Sequence, residues 1–180
     1  ARPARRLWVW LAGGIGFGAY LTLAERLAWE ASEPEGRGPT LLLCGHADVI
    51  TMGRLASRRD VQLTDEGLAQ LDIRLRFVGR GGGAVPHTEG QVAAYLFARL
   101  TDLGLGEHDV AAYVDRFEAG LAAAVRGMKC RASRRAGVAG VFGGSGQLAA
   151  LGIAVRRGVV LHGGYGHVAT TAPVYRTVQT

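Results

Sequence analysis

One lysine, Lys129, and two cysteines, Cys44 and Cys130, are all the lysine and cysteine that 180 residues carry. Two cysteines are too few for a disulfide framework and lack metal-ligand spacing, so a reducing, cytoplasmic compartment is expected. Each reads as a small core residue rather than a nucleophile. A mechanism that needs a lysine has a single candidate. Internal repeats with a period of 20 to 50 residues and low-complexity stretches are also missing, which excludes a solenoid, a coiled array or a disordered tail. At 48% hydrophobic residues, one compact domain spanning 1–180 is the expected organisation.

The scarcity of lysine leaves arginine as the carrier of positive charge, 20 of the 21 basic residues, with a formal net charge of +6. Such a balance steers a protein toward nucleic acid, anionic lipid or an acidic protein partner. The pairs Arg58-Arg59, Arg134-Arg135 and Arg156-Arg157 are scattered and have no aromatic residues interleaved for base stacking, so nucleic acid is not expected. Solvated faces are the alternative reading of each pair.

Long uncharged runs are rare, and the exception is at the start. Arg2, Arg5 and Arg6 precede Leu7 to Ala24, eighteen residues without a charge, which resembles a signal or anchor segment. Gly13, Gly14, Gly16 and Gly18 interrupt that run, and no small-residue cleavage site leads into a polar segment. Membrane insertion is therefore the less favoured reading. A buried strand over Leu7 to Ala12, a turn and an amphipathic helix from about Phe17 to Ala31 explain the same letters, with a loop over residues 32–39. Strand, Gly14-x-Gly16-x-x-Ala19 and helix is also the order of a dinucleotide-binding turn. The next strand, Thr40 to Cys44, lacks the acidic end that would bind a ribose, although Asp48 is near.

Further along, His46 stands at a strand end, where a histidine commonly satisfies local backbone groups. Val49 to Met52 reads as a short extended piece, and Thr64 to Gln70 as a helix capped by Thr64. Ile73, Leu75 and Phe77 alternate with Arg74, Arg76 and Val78 as in a half-buried strand. That strand leads into Arg80-Gly-Gly-Gly-Ala-Val-Pro-His-Thr-Glu-Gly-Gln91. Three glycines let the backbone approach a ligand closely, Arg80 supplies a fixed cationic fork and His87 a titratable nitrogen. The segment reads as a site for an extended, partly anionic ligand, with a flexible turn as the alternative.

Helices are expected over Gln91 to Leu103, closed by Gly104, and over about Asp109 to Met128. Strands are expected over Val138 to Phe142, Leu148 to Val155, Val159 to Leu161 and Tyr165 to Val168, with a hairpin turn at Gly143 to Gly146. The order predicts an α/β or α+β fold, a mixed β-sheet with helices packed on one face.

Four blocks, in order, resemble the octanoyltransferases of lipoate synthesis in the biotin and lipoate protein ligase family. Arg80, Gly81, Gly82, His87, Gly90 and Gln91 match that family's Arg-Gly-Gly-x-x-Thr-x-His-Gly-Pro-Gly-Gln, and His46, Val49, Thr51, Gly53 and Arg54 match its His-Pro-Pro-Val-Tyr-Thr-Leu-Gly-Arg. Gly140-Val-Phe142 resembles its Gly-Val-Trp, and the segment from Gly152 to Gly163 follows its next block. The resemblance implies a biotin/lipoate protein ligase-like fold. It also implies transfer of an octanoyl group from acyl carrier protein to a lysine of a lipoyl domain, through a cysteine thioester beside a lysine. By position it implies an acyl tunnel lined by Arg80, Gly81, Gly82, Gly83, His87, Ala150, Leu151, Gly152, Gly163, Gly164 and Tyr165. No cofactor and no metal are implied, and acidic carrier and lipoyl domains would suit the +6 charge.

Departures cluster at the same place. Gln147 stands where the family has its lysine, and the family's cysteine would fall by count at or just past Thr180. Val85 replaces a threonine, Thr88-Glu89 replaces Gly-Pro, Val160 replaces a hydroxyl residue and Gly164-Tyr-Gly-His167 replaces Phe-Ala-Leu-Asn. Glu89 would add a negative charge beside the acyl site. Two classes of function follow. One is an octanoyltransferase; the other is a non-catalytic acyl-binding or structural subunit of a larger protein complex that keeps the fold.

Overall fold

The computed structural model describes residues 6–170, 175, 177 and 178. The Leu7 to Ala24 run divides into strand β1 (Trp8–Gly14), a short turn and helix α1 (Phe17–Ser32). Among the described residues no helix is long and apolar enough to cross a membrane. Arg2 and Arg5 lie outside the described residues. Strands β2 (Thr40–Gly45) and β3 (Val49–Met52) follow, then helix α2 (Asp65–Gln70), β4 (Arg74–Phe77), β5 (Ala84–His87) and β6 (Gln91–Arg99). Helix α3 (Val110–Gly127) leads into β7 (Ser133–Arg135), β8 (Val138–Gly143), β9 (Gly146–Arg156) and β10 (Val159–His167).

The larger sheet has seven strands in the order β1-β2-β6-β10-β9-β8-β7, and β4-β3-β5 form a smaller one. β1 runs parallel to β2 and β3 parallel to β4, while β6, β8, β9 and β10 pair antiparallel with their neighbours. The result is the mixed α+β architecture read from the sequence.

The helices, however, flank the large sheet instead of sharing one face. Val159 belongs to the core cluster built on Phe17, Tyr20, Ala24 and Leu27 of α1, while Val160 belongs to the cluster around Tyr113 of α3. Consecutive residues of an unbroken ladder point to opposite faces, so α1 covers one side and α3 the other.

Three further expectations are corrected. Gln91 to Leu103 is a strand, β6, followed by a single 3-10 turn over Leu100–Leu103; Gly104, at φ 70°, ends the segment as expected. β1 is an exposed edge strand and not a buried one, with Leu11 80% exposed, because it has only β2 beside it. The two strands expected at Val159 and Tyr165 are one, joined through His162, whose φ of 62° marks an irregular step. Thr64 caps α2 as expected, accepting a bond from Gly67 N at 3.1 Å, and Gly143 pairs with Gly146 across a tight hairpin.

Candidate functional site

The glycine loop is fastened along its length. Gly81 N donates to Ile153 O of β9 at 2.8 Å, while Gly53, Arg54 and Leu55 donate to the carbonyls of Gly83, Arg80 and Gly82 at 3.0 to 3.1 Å. Those bonds are incompatible with a flexible turn. They carry Arg80 into the interior, where it is among the largest fully buried side chains. Its Nη2 donates to both Thr51 O and Thr51 Oγ1 at 2.8 Å, and Nη1 donates to Gly81 O at 2.9 Å.

Gly152 has to be glycine for this: a Cβ there would lie 2.6 Å from Arg80 Cδ. Gly53 is under the same constraint, since its Cβ would meet Gly82 O at 2.3 Å. The matched blocks at Thr51–Arg54, Arg80–Gly82 and Gly152 therefore meet at one guanidinium.

Around that cation stand rings in place of carboxylates. His87 packs edge-on against Tyr165 with centroids 4.3 Å apart, and Tyr20 stacks on Tyr95 at 4.1 Å. His46 lies between Phe17, Tyr20 and His87. His46 Nδ1 donates to Ile15 O at 2.7 Å; its Nε2 must then accept, and takes the Tyr95 hydroxyl at 2.8 Å. This histidine satisfies local groups, as its place at a strand end suggested. His162 Nδ1 bonds the Tyr20 hydroxyl at 3.1 Å, and Thr51 Oγ1 lies 3.0 Å from His87 Nε2.

Arg80 has no ion-pair partner among the described residues. Burial lowers its pKa, and the surrounding tyrosines oppose that shift. Guanidinium nonetheless stays charged because its starting pKa is so high. Burial, then the positive fields of His46 and Arg80, push His87 well below the usual histidine range. Burial and the same arginine push His162 down to about 4. Both imidazoles are therefore neutral near pH 7. Two buried nitrogens in this cluster, Arg80 Nε and His87 Nδ1, have no hydrogen-bond partner. Native interiors leave few such atoms, and each one asks for a ligand or a water.

Beside the cluster is a cavity of about 80 Å³ lined by Val85, Gln147, Ala150, Tyr165 and His167, among others. Gly81, Gly82, Gly152 and His87 are thus drawn together around the Arg80 guanidinium, while Ala150 and Tyr165 line the cavity. Gly83 lies in the loop with open space at its Cα. Gly163 lies against β6, with Ala94 O 1.9 Å from where a Cβ would be.

Gly164 and Leu151 are placed differently. They are cross-strand partners on the α3 face, where a Cβ on Gly164 would meet Leu121 and Phe117. Glu89 likewise lies apart, in a groove of about 780 Å³ at the start of α1 with Asp48, Asp72, Arg74 and Arg76. The mixed charges there offer no net positive field to a pyrophosphate, which weakens the dinucleotide reading of Gly14-x-Gly16.

Gln147 reaches across to β8, its Nε2 donating to Ala139 O at 3.3 Å and lying over Gly140. Lys129 is exposed just past α3, at φ 62°, and nothing bonds it to Gln147. Cys130 is exposed beside it, and Cys44 is buried in the core cluster near His46, with burial raising its pKa to about 11. Neither thiol stands by Gln147. With its thiolate suppressed, Cys44 is expected to alkylate on the order of a hundredfold more slowly than free cysteine at about pH 8. Peptide mapping after iodoacetamide treatment of the native protein checks this, and equal labelling of Cys44 and Cys130 would contradict it.

Sequence reading missed Tyr20, Tyr95 and His162 as members of the site. Tyr95 alternates with Ala93 and Phe97 as buried strand positions do, a pattern that marks it as core and not as a site residue.

Residues 19–178 match the lipoyl protein ligase A/B catalytic domain. The chain is 31% identical over 156 residues to an octanoyltransferase of Caldicellulosiruptor bescii and 33% identical over 161 residues to one of Acidobacterium capsulatum. Each alignment covers 84% of this chain and 65% of the relative, so the chain spans slightly less than two thirds of their length. Its fold is that of a bipartite lipoate protein ligase from Thermoplasma acidophilum, with a TM-score of 0.70 at 20% identity over 97% of this chain and 66% of that one. A lipoate-protein ligase A bound with ATP gives a TM-score of 0.73 at 16% identity over 96% and 75% of the two chains. With three of the four sequence blocks converging on one buried arginine and the domain match covering most of its length, the chain belongs to the lipoyl protein ligase A/B catalytic domain family, as a divergent member similar to its octanoyltransferases.

Proposed function

We propose that the site around Arg80, His87, Ala150, Gly152 and Tyr165 binds a medium-chain acyl group of the octanoyl type, and that the described residues hold this group without forming a covalent intermediate. The observation that carries the reading is the pair of unpartnered nitrogens, Arg80 Nε and His87 Nδ1, buried among apolar and aromatic walls. An acyl chain has matching chemistry, with an apolar tail and a carbonyl oxygen that accepts hydrogen bonds. Each buried methylene contributes roughly 0.8 kcal/mol.

Gln147 cannot carry the positive charge that would favour a thiolate, and the Cys44 thiol is both remote from it and held protonated by burial. Gly81, Gly82, Gly83, Leu151, Gly163 and Gly164 serve the site as close-packed framework in this reading. Protein subunits of a complex are the partners in this reading; octanoyl-acyl carrier protein as donor and a lipoyl-domain lysine as acceptor belong to an active enzyme. Residues 1–180 act as one domain in the cytoplasm, as an acyl-binding subunit of a larger protein complex.

A second reading, turnover as an octanoyltransferase, is favoured by the relatives at about one third identity. In that reaction the lysine amine forms an amide with the acyl carbon while the carbon–sulfur bond to the carrier breaks. The carrier thiol leaves with the proton.

Intact mass spectrometry of the protein with octanoyl-acyl carrier protein and an apo lipoyl domain separates the two. Acyl retention seen only under native conditions, with no octanoylated lipoyl domain, is the expected result. A covalent octanoyl adduct or turnover above background would overturn it in favour of the second reading.

A further inference from the structure

We infer that Tyr165 stoppers the acyl slot and sets the length of chain the protein accepts, an inference that rests on the acyl-binding reading above. The Tyr165 ring is buried, lines the cavity of about 80 Å³ beside Gln147 and Ala150, and packs against both His87 and Tyr95. The ring also meets Tyr95 edge-on with centroids 5.8 Å apart, so it is packed on more than one side. One side chain thus borders the cavity and contacts the His87 ring.

The neighbouring residues explain how so large a ring fits. Tyr165 is set in Gly163-Gly164-Tyr165-Gly166, and each flanking glycine yields room on its own side. At Gly164, the tips of Leu121 and Phe117 occupy the place of a side chain, at 2.5 and 3.2 Å from a hypothetical Cβ. Helix α3 has therefore closed onto the sheet where the resembling pattern has phenylalanine, while a phenol occupies the site face where that pattern has alanine. Bulk has moved from one face of β10 to the other in a single pair of adjacent positions. The exchange keeps the strand packed on both sides and shortens the slot.

The test is a chain-length series. Binding of straight-chain carboxylates from butanoate to dodecanoate is measured by isothermal titration calorimetry on the wild-type protein and on Tyr165→Ala, Tyr165→Leu and Tyr165→Phe. Wild type and Tyr165→Phe are expected to gain affinity up to octanoate and not beyond it. Tyr165→Ala should continue to gain about fourfold per added carbon past octanoate, with Tyr165→Leu between them. Leucine fills most of the apolar volume, so it provides the answer if the alanine variant does not fold. The same length profile in all folded variants would overturn the inference and leave the acyl-binding reading standing. No binding by any of them would overturn both.

Discussion

Gly163→Ala is expected to lower the stability of the protein by about 3 kcal/mol or more, beyond what a core substitution of one methyl group ordinarily does. The added carbon would fall 1.9 Å from Ala94 O and 2.9 Å from Ala94 C, both backbone atoms of the adjacent strand β6. A flexible side chain could swing away from such a contact. A ladder carbonyl can withdraw only if β6 separates from β10, the central strand of the seven-stranded sheet.

The same methyl group added where there is room should act the other way. Gly120, exposed on α3 with nothing within 4 Å of its Cβ position, is the matched control. Gly120→Ala is expected to stabilise the protein by about 0.8 kcal/mol through helix propensity alone. Urea denaturation of both variants against wild type decides the matter; equal effects of the two substitutions would show that the tight approach at Gly163 does not exist.

Acid is expected to unfold the protein at pH values where most carboxylates are still ionised. His87 is held well below the histidine value of 6.5 and His162 is held at about 4, burial being the first cause for both. A group whose folded pKa is depressed binds its proton more readily in the unfolded chain. Its contribution is therefore complete above about pH 6.5 and is lost as pH falls toward the folded pKa.

Between about pH 7.5 and about pH 5.5 the two histidines together should remove about 3 kcal/mol, near 1.4 kcal/mol each. Unfolding free energy measured in urea across that range reads the slope directly. His162→Asn, which tolerates the φ of 62° at that position, should remove its share of about 1.4 kcal/mol, leaving that of His87 and of the other histidines lowered by burial, His46 and His167. A flat profile in wild type would mean that water reaches both imidazoles.

The framework of the fold was readable from local signals, and the places where reading failed share a cause. Helices α1 and α3 announce themselves by buried positions at helical spacing, such as Phe17, Tyr20, Ala24, Leu27 and Ala31. β3 and α2 are bounded by turn residues and a threonine cap. Segment 91–99 misled because a strand covered on both faces shows little polar alternation, and Val-Ala-Ala-Tyr-Leu-Phe-Ala suits either conformation when no partner strand is known. β1 misled in the opposite way, since its apolar letters do not tell that it lies at a sheet edge.

In the site, the glycines and Arg80 were legible because close backbone approach and a buried fork need those residue types. Tyr20, Tyr95 and His162 were not, because tyrosine at an apolar position reads as core until a second polar atom is found beside it. That Leu151 and Gly164 turn toward α3 depends on strand parity relative to Ile153, which no local pattern encodes.

Burial of β10 on both faces also bears on how this sequence can change over time. In a sheet with one wet face, every second residue of a strand drifts freely and a substitution record shows a beat of two. Along β10 no residue from Val159 to His167 is exposed, so neutral drift has no face on which to run. Changes there must come as compensated pairs across the strand, and the Gly164–Tyr165 exchange has that form.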